Sequence, residues 1–218
     1  MLMNDPVIRV ARPGEAERVA DAYRAACADE AVTRWVLAAD PEAGIDVVAD
    51  SLSRTVRDGA VVIAEAPDGR IDGVSTWLDV ESAQPVREDA AALAANAAAS
   101  SNAVTRRMAS VLTLASARHP NPPHRYLASM GVRTTMRGRG IGGALLRFGL
   151  AHADAVRRPV YLEASTERNA ALYVRHGFRP CGDPIALPDG GPLLRPLWRE
   201  PRAPRRRAGR GEPGGVHP

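Results

Sequence analysis

Apolar and polar positions alternate briefly from Val7 to Ala11, and the run stops at Pro13-Gly14, which predicts a first strand closed by a turn. The period then lengthens. Between Glu15 and Ala28 the positions Ala16, Val19, Ala20, Tyr23, Ala26 and Cys27 recur at helical spacing. Asp40-Pro41 reads as a cap followed by Pro in a first turn, so a second helix is expected from there to about Val56. Ala60 to Ala66 and Ile71 to Leu78 are β-branched runs flanking the turn sequence Pro67-Asp68-Gly69-Arg70, which predicts a hairpin. Residues 88 to 117 are dense in Ala and carry Leu93, Val104, Met108, Val111, Leu112 and Leu114. Helix is expected there, broken near Ser100-Ser101-Asn102 and ended by Pro120, Pro122 and Pro123.

Strand and helix then alternate. Arg125 to Val132 reads as a strand, Gly140 to Arg157 as a helix, Pro159 to Ala164 as a strand, and Glu167 to His176 as a short helix closed by Gly177, with extended chain from Phe178 onward. This order predicts an α/β domain with a mixed sheet, and no repeat at solenoid periods interrupts it. A chain of 218 residues that is 45% apolar suits one core, and the domain is expected to occupy residues 1 to 200.

Charge changes the picture only at the end of the chain. The net charge is +4. Residues 201 to 218 hold five arginines (Arg202, Arg205, Arg206, Arg207, Arg210) against Glu212, which accounts for all of it and leaves residues 1 to 200 balanced. A tail of Pro, Gly and Arg cannot bury enough surface to offset the entropy of ordering it, so disorder is expected. It reads as a solvated terminus or as an arm touching phosphate or acidic partners; beyond such weak tail contact a nucleic-acid partner is not expected. Lysine is absent, so every basic residue is arginine. Cys27 and Cys181 form neither a disulfide framework nor a CxxC and lie near no ligand-spaced His pair, so free thiols and no metal are expected. No leader pattern opens the chain and no uncharged apolar run approaches about 18 residues, which points to a cytoplasmic protein without a membrane partner.

The chemistry concentrates in Arg137-Gly138-Arg139-Gly140-Ile141-Gly142-Gly143, between a strand and a helix. Glycines there let backbone N–H groups approach an anion, and the helix start adds a favourable partial charge, so a pyrophosphate fits. Gly138, Gly140 and Gly143 satisfy GxGxxG, and Glu163 lies where a dinucleotide fold would want its ribose-binding acid. The context is wrong for that fold: residues 133 to 137 separate the strand from the first glycine, and too little chain follows Glu163. A Walker A loop needs a lysine that this chain lacks.

These residues resemble the GNAT superfamily of acetyl-CoA-dependent N-acetyltransferases. That family's loop reads Gln or Arg, two residues, Gly, one residue, then Gly or Ala, as do Arg137, Gly140 and Gly142. Tyr126 to Val132 looks like the family's fourth strand and Val160 to Ala164 its fifth; Asn169, Tyr173 and Gly177-Phe178 follow in the family's order. Within the superfamily, Ala25 to Asp29, Tyr126 to Val132 and Leu162 to Asn169 are similar to the puromycin N-acetyltransferase group. The resemblance implies a mixed, mostly antiparallel sheet flanked by helices, acetyl-CoA as cosubstrate, and an amine acceptor. It also implies that backbone groups of Met130, Gly131 and Val132 meet the pantetheine arm and acyl carbonyl. Backbone amides of Arg137, Gly138, Arg139, Gly140, Ile141 and Gly142 would hold the pyrophosphate, with added charge from Arg137 and Arg139, and Asn169 would contact the cofactor.

For transfer, Tyr173 is the expected acid, because a phenol with a pKa of about 10 stays protonated at neutral pH and can protonate a thiolate of about 8.5. Asn169 precedes it by four residues, on the same helical face. The base is less determined. Glu163 comes first, although strand alternation leaves its direction open. His124, ahead of the strand and beside prolines, is a weaker choice, and Asp29 and Glu30 at the end of the first helix could line an amine pocket. A small-molecule amine is the expected acceptor, with a peptide or protein amine, or a non-catalytic acyl-CoA sensor, as alternatives. The expected state is monomer or homodimer.

Overall fold

The structure is a computed structural model and describes residues 5–40 and 61–203. The helix expected from Asp40 to Val56 and the tail beyond residue 203 lie outside the described residues.

The strands are β1 (Val7–Val10), β2 (Val61–Glu65), β3 (Ile71–Val80), β4 (His124–Val132), β5 (Val160–Ala164), β6 (Arg179–Pro180), β7 (Ile185–Ala186) and β8 (Leu193–Arg199). They form one sheet in the order β1-β2-β3-β4-β5-β8-β6, with β7 added to β8. Only β4 and β5 run parallel; every other pair is antiparallel. The hairpin, the later strands and the mixed, mostly antiparallel sheet stand as the sequence predicts.

Both faces of the sheet are covered. In β2, Val61 and Ile63 point to one face, where α1 (Ala16–Cys27) packs Val19, Tyr23 and Cys27 against them and Val74. Val62 and Ala64 point to the other, toward Leu145, Leu146 and Leu150 of α5 (Ile141–Ala155). The period-two alternation of a strand apolar on both sides thus builds two cores at once. At Gly149, α5 lies so close to β3 that an added Cβ would fall 2.0 Å from Cζ2 of Trp77.

The helix-rich middle is a hairpin of α3 (Ala83–Ala98) and α4 (Ala103–Arg118), broken as expected where Asn102 Oδ1 accepts from Thr105 N at 3.1 Å. The sequence pattern missed α2 (Ala31–Leu37), which is seven residues long. Its cap is Glu30, whose Oε2 accepts from Val32 N and Thr33 N, and a Glu cap does not announce a helix start as Ser, Thr, Asp or Asn would. The remaining helix, α6 (Glu167–Arg175), ends before Gly177 at φ 95°. Arg199 donates twice to Asp154 at 2.8 Å and once to the His176 carbonyl, tying β8 to α5 and to the end of α6. No helix among the described residues is long and apolar enough to cross a membrane.

Two breaks in the ladders shape the middle of the sheet. The β3–β4 register shifts between Thr76 and Trp77, so that Ala128 bulges between Leu127 and Ser129. The parallel pairing of β4 with β5 consists of Arg125 with Val160 and Tyr126 with Tyr161, and then stops. Beyond it β4 stays bonded to β3 and β5 to β8, so their facing edges diverge.

Gly149→Ala tests the close approach of α5 to Trp77. The methyl must displace an indole that is 1% exposed, and overpacking of this kind costs about 1–3 kcal/mol. Calorimetry should show Tm lowered by about 3–10 °C.

Candidate active site

A cavity of about 260 Å³ opens where β4 and β5 part. β4 contributes Tyr126, Ser129 and Met130; β5 contributes Glu163; α6 contributes Asn169 and Tyr173. The mouth of α2 with its cap Glu30, and one face of α4, complete the wall.

Glu163 faces the gap, which settles the direction that alternation left open. Its Oε2 accepts from the Tyr126 hydroxyl at 2.8 Å, while Oε1 is buried without a hydrogen-bond partner. The Tyr161 hydroxyl sits beside the same carboxyl without a well-formed bond. Desolvation pushes the Glu163 pKa up to about 7, against the stabilising hydrogen bond from Tyr126. The Tyr126 hydroxyl is shifted the opposite way from ionisation: burial and the adjacent carboxylate raise its pKa well above the ordinary value, so it remains a donor. A carboxyl group poised near neutrality in a cavity can accept a proton at physiological pH.

Tyr173 reaches the cavity from α6, whose start is fixed by Thr166 Oγ1 accepting from Asn169 N at 3.1 Å. Its ring packs edge-on to Phe178 at 5.8 Å, and among the described residues its hydroxyl has no hydrogen-bond partner. Burial, with Glu30 and Cys27 nearby, raises its pKa. It therefore stays protonated and is suited to donate. Asn169 lies one turn earlier on the same face and lines the same cavity.

The glycine loop lies apart from that cavity, past the end of β4. Gly138 and Gly140 adopt φ of 78° and 82°, and Gly140 caps α5 with no side-chain partner, so the first-turn amides of α5 are left for an outside acceptor. A Cβ on either glycine would meet nothing within 4 Å, which describes an open cradle. Ile141 and Gly142 follow as the first residues of α5, the Ile141 side chain in the core. Arg139 is exposed on the loop.

Arg137 corrects an expectation. Its guanidinium does not face the loop: it makes a two-point pair with Asp29 at 2.5 Å and also donates to the carbonyls of Val132 and Ala26. The cation is spent on holding the end of α1 against the end of β4, and its backbone amide donates to the Thr134 carbonyl at 3.3 Å, so the open amides of the loop begin at Gly138. Gly131 has a packing duty too, since a Cβ there would lie 2.6 Å from Cys27 Sγ. Of the three β4 residues expected to meet the pantetheine arm, Met130 lines the cavity while Gly131 and Val132 do not.

His124 is not on a surface loop. It is fully buried as the first residue of β4, its Nδ1 bonded to the Pro122 carbonyl at 2.7 Å and its Nε2 to His119 Nε2 at 3.0 Å. Burial lowers both imidazole pKa values, that of His119 to about 4, so both are neutral at pH 7. Neither lines the cavity. Tyr126 is the functional candidate that sequence reasoning passed over; its meeting with Glu163 depends on strand pairing across 37 positions, for which the sequence carries no local signal. Among the described residues no group of His, Cys, Asp and Glu is placed to hold a metal.

Residues 102–180 match the family model described as Acetyltransferase (GNAT) domain. The chain carries the GNAT fold. A Corynebacterium glutamicum protein described as histone acetyltransferase HPA2 and related acetyltransferase is 27% identical, with a TM-score of 0.63 over 92% of this chain and 99% of that one. The Drosophila melanogaster polyamine N-acetyltransferase aligns at 19% identity and TM-score 0.72 over 90% and 100% of the two chains. Arylalkylamine N-acetyltransferase 2 of Aedes aegypti aligns at 14% and 0.71 over 90% and 99%. At those identities the two insect structures speak to fold alone.

The raised Glu163 pKa has a consequence for stability. The folded state keeps this proton up to about pH 7, whereas an unfolded Glu releases it near its ordinary value of 4.5, so folding loses stability as pH rises between the two. Glu163→Gln removes that loss. Its Tm relative to wild type should therefore rise between pH 5 and pH 8, and a difference independent of pH would show that the carboxyl titrates normally.

Proposed function

We propose that the protein transfers the acetyl group of acetyl-CoA to the primary amine of a small molecule by direct attack. The observation that carries this reading is a single cavity holding both a carboxyl group poised near pH 7 and a buried phenol free to donate, at the point where β4 and β5 part. The open edges of the two strands and the uncapped start of α5 suit an extended thiol arm ending in a pyrophosphate.

Acetyl-CoA supplies an activated acyl carbon, to which the amine nitrogen bonds as the carbon–sulfur bond breaks. Glu163 takes the proton that the ammonium must lose, directly or through water, and the Tyr126 hydroxyl holds it in place. Tyr173 gives its phenolic proton to the departing sulfur and is reprotonated, through water, by the second proton that the nitrogen sheds as the amide forms. Glu163 releases its proton to solvent, so the net products are the amide, the free thiol and one proton. Met130, two residues past the bulge, offers backbone groups to the acyl arm, and Asn169 contacts the cosubstrate from α6. Amides from Gly138 to Gly142 hold the pyrophosphate.

Arylalkylamine and polyamine N-acetyltransferases share this fold, so a small amine is an acceptor the fold can accommodate; the histone acetyltransferase description supports a peptide amine as the second reading.

Thiol release from acetyl-CoA with a panel of amines and peptides separates these readings. Tyr173→Phe should lower kcat about 100-fold or more while KM for acetyl-CoA changes by less than about threefold. Turnover within a few-fold of wild type would remove Tyr173 from the acid role. For the base, kcat/KM should rise with pH along a limb centred near 7, and Glu163→Gln should abolish that limb along with about 100-fold of the rate.

A further inference from the structure

We infer that the acceptor is a primary amine carried on a compact apolar body, with Glu30 drawing in the ammonium and the α2–α4 channel burying the rest; this rests on the acetyl-transfer reading. The channel wall is a single stripe of α4, in which Val104, Met108, Val111 and Leu112 recur at helical spacing, facing Val32 and Val36 of α2. Leu112 remains 41% exposed, an apolar surface that the described protein leaves uncovered although it lines the same cavity as Tyr173 and Glu163. Arg107, the basic side chain nearest this wall in sequence, is occupied: it donates to the Trp35 carbonyl and stacks on the Trp35 ring at 4.8 Å.

Charge in the cavity has one sign. Among the described residues that line it, the carboxylic acids are Glu30 and Glu163, and none is an arginine. Glu30 spends Oε2 on the first amides of α2, and its charge is felt at the Tyr173 hydroxyl. It is placed to attract a cation to the neighbourhood of the reacting groups. A carboxylate on the acceptor, as in an amino acid, would find no cation to pair with. A second ammonium, as in a polyamine, would be stripped of water against Val104, Met108, Val111 and Leu112. A hydrocarbon or aromatic body gains from that same wall.

The test is a series of propylamine, butylamine, pentylamine and hexylamine, with 2-phenylethylamine, spermidine and phenylalanine, measured by thiol release at saturating acetyl-CoA. Binding to the CoA-saturated protein is measured in parallel by calorimetry. Across the alkyl series kcat/KM and affinity should both climb about threefold to fourfold per methylene. Hexylamine and 2-phenylethylamine should exceed spermidine and phenylalanine by about 100-fold. A flat series, or spermidine or phenylalanine as the better acceptor, overturns the inference while leaving acetyl transfer intact. A climbing affinity series with no thiol release supports the channel and overturns transfer.

Two variants address the wall itself. Leu112→Glu, at an exposed position, and Met108→Glu should each shift preference from hexylamine toward 1,6-diaminohexane by about 10-fold or more, with KM for acetyl-CoA as the check on folding. Glu30→Gln keeps an oxygen for the α2 cap and should raise KM for hexylamine about 10-fold with little change in KM for acetyl-CoA. If both wall variants kept the wild-type ratio of the two amines, the channel would not meet the acceptor and the inference would fall.

Discussion

The structure turns on a pairing that ends early. β4 and β5 are joined at Arg125–Val160 and Tyr126–Tyr161 and then separate, each held by its other neighbour. A parallel pair in the middle of a sheet would normally continue, because its open N–H and C=O groups have no other partner. Here the bulge at Ala128 bends β4 away, and the unpaired edges become a place where an extended molecule can complete the ladder. The cavity, the orientation of Glu163 and the access of Tyr173 all stem from that divergence.

The same geometry sets the electrostatics. Glu163 sits on the last stretch of β5, deep enough to lose water and close enough to Tyr126 to be held by one hydrogen bond. Desolvation wins, and the carboxyl is poised near neutrality. Tyr173 experiences burial as a phenol, for which the shift runs further from ionisation and preserves the proton. One environment thus leaves a carboxyl that can take a proton and a phenol that keeps one, the pair that the proposed transfer needs.

Arg137 shows how a motif residue can be committed to holding the fold together around the site. By pairing with Asp29 and with the carbonyls of Ala26 and Val132, it ties the end of α1, and with it the approach to Glu30, to the segment that leads into the glycine loop. The glycine loop and the α2 side of the cavity share that one fastening. Gly131 reinforces it from the sheet, because only a residue without a side chain lets Cys27 come so close.

Much was legible from the chain alone. The alternation in β2 and β3, the turn at Gly69, the helical stripe of α1 and the glycine loop ahead of α5 are local patterns, and local patterns survive folding. Tyr173 and Asn169 fell on one face because four residues separate them on a helix. What the sequence could not decide was anything that depends on distant segments meeting. Whether Glu163 points inward depended on where β5 leaves β4, and Tyr126 became its partner only through strand pairing. The direction of Arg137 was decided by the position of Asp29, which precedes it by 108 residues. His124, read as a loop residue beside prolines, is buried against His119 because β4 begins at that residue and the sheet closes over it. The sequence by itself determined the elements and the chemical groups available; tertiary structure decided which of them share a cavity, since burial and proximity, which set a pKa, do not exist along an unfolded chain.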